Sequence, residues 1–204
     1  MHTSCLVHFL LLSLATALPY GDGDDDGSCN ATPSTAYRLE VRRDSHNHHH
    51  ELSHELWGKK IEASAQGLYI GLNGPSTYCP SPPVPIDQCP AGKETVFAGL
   101  VSMDVEVPGG QMVYVDPAGV VGFTQAHSAF MPVGSTTGGF AYCSKSRTLV
   151  FKGMGFLACP DVPSFVVGAT HRVYAKAMGK QGCVDLGGLK VKPWTDGFGA
   201  WQYT

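Results

Sequence analysis

Residues 101–124, VSMDVEVPGGQMVYVDPAGVVGFT, carry the pattern that constrains the whole chain: apolar runs of a few residues, each stopped by glycine or proline. In VSMDVEV, Val101, Met103, Val105 and Val107 alternate with Ser102, Asp104 and Glu106, the period-two pattern of a strand with one buried face. The next two apolar runs flank Asp116-Pro117-Ala118-Gly119. Asp first, Pro second and Gly fourth are the preferences of a type I turn, so a hairpin is expected there. The same pattern recurs elsewhere. YRLEVRR alternates Leu39 and Val41 with Arg38, Glu40 and Arg42, and GLYIGL, ETVFAGL, TLVFK, SFVVGA, HRVYAKA and LKVK are further strand candidates. With 25 glycines and 14 prolines as punctuation and no long helical period, the expected fold is all-β. It should be a single compact sandwich or barrel of about ten short strands, with a trefoil-like barrel as one form despite the lack of a clear threefold repeat.

The first segment has an apolar run from Cys5 to Leu14 followed by Ala15-Thr16-Ala17, a small-x-small site, so residues 1–17 are expected to be a secretory signal peptide. Residues 18–36, rich in Gly, Asp, Ser and Pro, are expected to form a flexible acidic leader, and residues 37–204 the secreted β-domain. Asp22, Asp24 and Asp26 imitate an EF-hand loop, but Pro33 stands where the bidentate Glu is needed. Asn30-Ala31-Thr32 is a glycosylation sequon followed by Pro33. No later run is long and apolar enough for a membrane helix, and the mild net charge of -3, with Lys and Arg scattered, argues against nucleic acid or anionic membranes as partners. Six cysteines follow the signal, at 29, 79, 89, 143, 159 and 183. In an exported chain they read as three disulfides in any of fifteen pairings, which argues against a thiol nucleophile.

The most suggestive chemical motif is SHNHHHELSHELW at 45–57, where His50-Glu51-Leu52-Ser53-His54 spells HExxH. On a helix, residues four apart share a face, so two imidazoles can hold zinc while the Glu takes a proton from its water. Trp57 and Lys60 stand where the extended form of the motif needs Gly and a third His. A match drawn from five histidines in nine residues is also weak evidence. A solvated loop is the leading reading, with Zn, Cu or Ni binding by His46, His48, His49, His50 and His54 as the alternative and a small zinc peptidase behind both. Such binding would weaken as pH falls through about 6.5, because neutral imidazole is the ligand.

Nucleophile-elbow, Walker and dinucleotide motifs are absent from the sequence. His127 beside Ser128 would point to the opposite strand face from its neighbour, so it and His171 read as hydrogen-bonded loop or strand-end histidines. Tyr69, Tyr78, Tyr114, Trp194, Trp201 and Tyr203 could line a carbohydrate-binding face, although core packing is the commoner role for strand aromatics.

At YCPSPPVPIDQCPAGKETVFAGL, VPGGQMVYVDPAGVVGFTQAHSAFMPVGS, GFLACP and the terminal AWQYT, the chain resembles small secreted proteins of filamentous fungi known as IgE-binding proteins, related more distantly to phialide-associated cell-wall proteins. The resemblance implies a secreted, β-rich, non-enzymatic wall or surface protein without a cofactor. Wall polysaccharide and, through the family name, a host antibody are its implied partners. The histidine tract departs from the family pattern and looks like a local elaboration of a surface connection. The resemblance also implies that Cys79 pairs with Cys89 and Cys159 with Cys183, and that Cys29 and Cys143, which look like additions, pair with each other.

Overall fold

Alternation in YRLE produces a strand whose Tyr37 and Leu39 point into a core while Arg38 and Glu40 face outward. The computed structural model describes residues 29–43 and 54–204. Among these residues there are fifteen short strands: β1 Tyr37–Glu40, β2 Ile61–Ser64, β3 Gly67–Ile70, β4 Thr77–Tyr78, β5 Phe97–Ala98, β6 Ser102–Met103, β7 Val113–Val115, β8 Val121–Phe123, β9 Phe140–Cys143, β10 Thr148–Phe151, β11 Phe156–Cys159, β12 His171–Ala175, β13 Val184–Gly187, β14 Leu189–Pro193 and β15 Gln202–Tyr203. Two single-turn 3-10 segments, Ile86–Gln88 and Lys176–Met178, interrupt them.

One sheet runs β6-β5-β1-β14-β10-β9 and the other β13-β11-β12-β3-β8-β7, with β2 also on β3 and β4 paired to β15 alone. Backbone bonds stitch the sheets along part of the rim. Met103 N–H donates to the Gln111 carbonyl at 2.9 Å and Val113 N–H to Val101 at 2.7 Å, while Val41 N–H reaches the Lys59 carbonyl at 2.8 Å. The result is a compact sandwich with half-barrel closure. One apolar core lies between the sheets and takes Leu39, Leu149, Phe151 and Val191 from one, and Ile61, Leu68, Phe123, Phe156 and Val173 from the other. Phe140 joins the two, edge-on to Phe151 at 5.1 Å and stacked with Phe156 at 6.5 Å. Three disulfides staple the edges: Cys29–Cys143, Cys79–Cys89 and Cys159–Cys183.

The hairpin forms on the turn read from Asp116 to Gly119, with Gly119 N–H donating to the Asp116 carbonyl at 2.9 Å and Val120 N–H to Asp116 Oδ1 at 2.9 Å. Two expected strands do not form as read. VSMDVEV buries Met103 and Val107 but leaves Asp104, Val105 and Glu106 alike half-buried, and it pairs as a strand only at Ser102–Met103, because beyond Asp104 the chain leaves β5 and runs parallel to the carboxyl-terminal segment through a Val105–Ala200 bridge. SFVVGA is a turn with Val166 buried and Phe165 and Val167 left 72% and 85% exposed. There, strand propensity without a sheet edge to join leaves apolar side chains in water.

Strand β2 buries both faces. Glu62, only 1% exposed, accepts from the Thr95 N–H at 3.0 Å and the Thr95 hydroxyl at 2.7 Å through one oxygen, and the same hydroxyl accepts from Ala63 N–H at 2.7 Å. Burial raises the carboxyl above its ordinary 4.5, an effect that the Thr95 hydrogen bonds oppose. A raised folded value means that the folded state holds the proton more tightly. The resulting stabilisation is present below about pH 4.5 and is lost as pH rises through the folded value. Glu62→Gln keeps the acceptor and removes the charge. Its melting temperature is expected to match wild type near pH 4 and to exceed it near pH 7. Glu62→Leu, which strands both Thr95 donors, is expected to lose about 1–3 kcal/mol per donor. Melting curves of the three proteins across pH check this, and a wild type that gains on Glu62→Gln as pH rises would refute it.

Candidate functional site

A concavity lies where two loops are fixed by different means. The first wall comes from the loop closed by Cys79–Cys89, whose 3-10 turn carries Asp87 into residues 88–93. Gly92, at φ +62, lies so close to the Thr77 side chain of β4 that a Cβ there would collide with it. The opposite wall is Trp194–Gly199. Trp194 N–H donates to the Ala36 carbonyl at 2.8 Å, and the indole N–H turns back onto the Gly197 carbonyl at 2.8 Å, a tight turn that the positive φ of Gly197 permits. Glu106 joins from the segment after β6, where Glu106 N–H bonds the Ala200 carbonyl at 3.2 Å and Val107 N–H bonds Trp201 at 2.9 Å. The cleft, half open to solvent, measures about 540 Å³, within the range of small-ligand sites.

The second wall is anchored by a buried polar latch. The Tyr203 hydroxyl accepts from Val96 N–H and donates to the Glu94 carbonyl, both at 2.9 Å. The Gln111 amide donates to the Thr124 and Tyr203 carbonyls at 2.8 and 3.0 Å and accepts from Tyr203 N–H at 2.8 Å. Burial pushes the Tyr203 phenol well above its usual range, so it stays a neutral donor. Below the cleft, Asp104 Oδ2 accepts from Gly199 N–H at 3.2 Å, and burial raises that carboxyl despite the bond.

Charge is distributed unevenly over the surface. Glu40 and Glu94 are paired with Arg38, Lys60 and Lys192, Asp161 with Lys180, and Asp185 with Lys176. Among the described residues, Asp87, Glu106 and Asp196 of the cleft make no ion pair, and Lys93 is the one cation lining it. Trp194 is half-buried beside them, and Phe198 is 49% exposed. An apolar ring face beside hydrogen-bonding carboxylates is the chemistry that holds a sugar ring.

Of the aromatics singled out from sequence, only Trp194 lines this cleft. Tyr69, Tyr114 and Tyr203 are buried, Trp201 is half-buried, and Tyr78 is 55% exposed on β4. Tyr114 covers Gly122, its cross-strand partner, so it fills a gap in the sheet surface. Asp87, Lys93, Glu106, Asp196 and Phe198 carried no motif. The only local hint was an aromatic between two glycines in DGFGA.

His46, His48, His49, His50 and Glu51 lie outside the described residues. His54 is exposed and its ring lies tilted against Trp57, with the ring centroids 3.8 Å apart. His127 sits exposed in a turn at φ +59, and the His171 ring shares a hydrogen bond with Thr170 Oγ1 at 3.0 Å. Burial and nearby Lys59 lower the His171 pKa, favouring the neutral ring. Asn30 of the sequon is exposed next to the Cys29–Cys143 bond.

A family model described as PhiA-like secreted protein matches residues 51–204. An uncharacterised secreted protein of Arthroderma benhamiae is 37% identical over 215 residues, an alignment that spans 100% of both chains. No solved structure matches.

Proposed function

The chain belongs to the PhiA-like secreted protein family, and on that premise we propose that it is a non-enzymatic protein of the fungal cell surface, held without a covalent link to wall polysaccharide by the cleft between residues 87–93 and 194–199. The observation that carries this reading is the juxtaposition of Trp194 and Phe198 with three carboxylates in a cleft whose walls are fixed by a disulfide and by the Tyr203 latch. Rigid walls lower the ordering cost of holding a polymer segment. The surface location is supported by the family and the relative, both of which are described as secreted proteins. The test is co-sedimentation of the secreted protein with insoluble wall polysaccharide. Wild type should pellet, while Phe198→Ala and Trp194→Ala, checked for native melting, should lose at least about tenfold in apparent affinity. Equal pelleting of all three would refute the cleft, and new reducing ends in the supernatant would make the protein an enzyme.

Two further roles follow from the resemblance and the histidine tract. Recognition by host antibody is a property of exposed loops, and Phe130 and Val133, both strongly exposed in HSAFMPVGS, form the obvious epitope. Copper or zinc capture by His46, His48, His49, His50 and His54 has an optical readout, because the His54 ring packs against Trp57. Titrated Cu(II) should quench Trp57 in wild type and less in His54→Ala.

A further inference from the structure

From the unspent negative charge of the cleft we infer that its ligand is a glycan bearing free amines, of the glucosamine-oligomer class, rather than a neutral one; this rests on the reading of the cleft as a polysaccharide site. Elsewhere on the described surface the carboxylates other than Glu55 are matched by lysine or arginine, or are committed to hydrogen bonds, as at Glu62, Asp104 and Asp116. At the cleft, Asp87, Glu106 and Asp196, the last of which accepts only a bond from the neighbouring Thr195 hydroxyl at 3.3 Å, face one lysine, Lys93, so the concavity carries a formal excess of acid. Low-dielectric walls concentrate the field of such a cleft and draw in the opposite charge. A cationic peptide would satisfy the charge as well, but Trp194 and Phe198 offer ring faces that suit the C–H face of a pyranose. A protonated 2-amino group beside that face can then reach a carboxylate, a charge-assisted bond roughly twice as strong as a neutral one.

The experiment uses calorimetry on the intact secreted protein in mildly acidic buffer, with glucosamine, N-acetylglucosamine and β-linked glucose oligomers of equal length and oligolysine of similar charge. The glucosamine oligomer is expected to bind at least about tenfold more tightly than its acetylated form, since three partly exposed charge contacts add up to that ratio. The preference should shrink as salt shortens the Debye length. Asp87→Asn combined with Glu106→Gln and Asp196→Asn should remove it, whereas Lys93→Gln should strengthen it, a gain that misfolding does not mimic. Acetylated or glucose oligomers binding as well as the amine form would overturn the inference and leave the polysaccharide reading standing. Oligolysine bound in preference would assign the cleft to a cationic peptide and overturn the inference. No binding of any oligomer would overturn the inference and the polysaccharide reading together.

Discussion

Gly155→Ala is expected to give little or no folded secreted protein, with a stability loss of about 3 kcal/mol or more in whatever fraction can be measured. Gly155 leads into β11, whose four residues are all buried, at the point where the β11–β13 register shifts between Phe156 and Leu157. A Cβ on Gly155 would lie 2.6 Å from the Gly187 Cα and nearer still to the Gly187 carbonyl. The obstacle is backbone, not the end of a flexible side chain, so β13 must move off β11 and take Leu186 out of the core. Against a total stability of about 5–15 kcal/mol, that is enough to populate unfolded chain during secretion. Gly138→Ala is the control. Its new methyl meets Thr136 Oγ1 at an ordinary 3.6 Å, and both substitutions stiffen the unfolded chain alike. Urea midpoints and secreted yield for the two variants should differ widely, and a Gly155→Ala midpoint like that of Gly138→Ala would refute the close approach.

Gln111→Leu should unlatch the carboxyl terminus at a cost of several kcal/mol. It leaves the Thr124 carbonyl and both the N–H and the carbonyl of Tyr203 unpaired in a buried site, at about 1–3 kcal/mol each. Tyr203→Phe strands only the Val96 N–H and the Glu94 carbonyl, so it should cost less. Because the cleft wall at 194–199 runs directly into β15, Gln111→Leu should also abolish the proposed polysaccharide binding below the melting temperature, with faster amide exchange at Val96 and Tyr203. Retained protection at those amides would separate the latch from the cleft.

Some of this was legible along the chain because the determinants are local. The Asp116–Gly119 turn closes within four residues, and β1 alternates within four, so both could be read from spacing. VSMDVEV misled because its strand partners change at Asp104, from β5 to a segment about a hundred residues away, and the alternation of burial stops there. SFVVGA misled in the other direction, since β-branched residues do not say whether a sheet edge is free to receive them. Strand β2, with Glu62 in its middle, is not among the strands expected from spacing, and it is buried on both faces.

By itself, then, the order of residues determined an all-β, glycine-punctuated chain, because turn preferences and period-two burial act over a few residues. The cleft was decided only by the tertiary structure. Asp87, Glu106, Trp194, Asp196 and Phe198 come from three separate segments, and they meet only because a disulfide, a parallel bridge and the Gln111–Tyr203 latch close long loops onto one another. The excess of acid at that cleft is equally a tertiary property: which carboxylates find a lysine depends on the folded surface, whereas the net charge of -3 records only their sum.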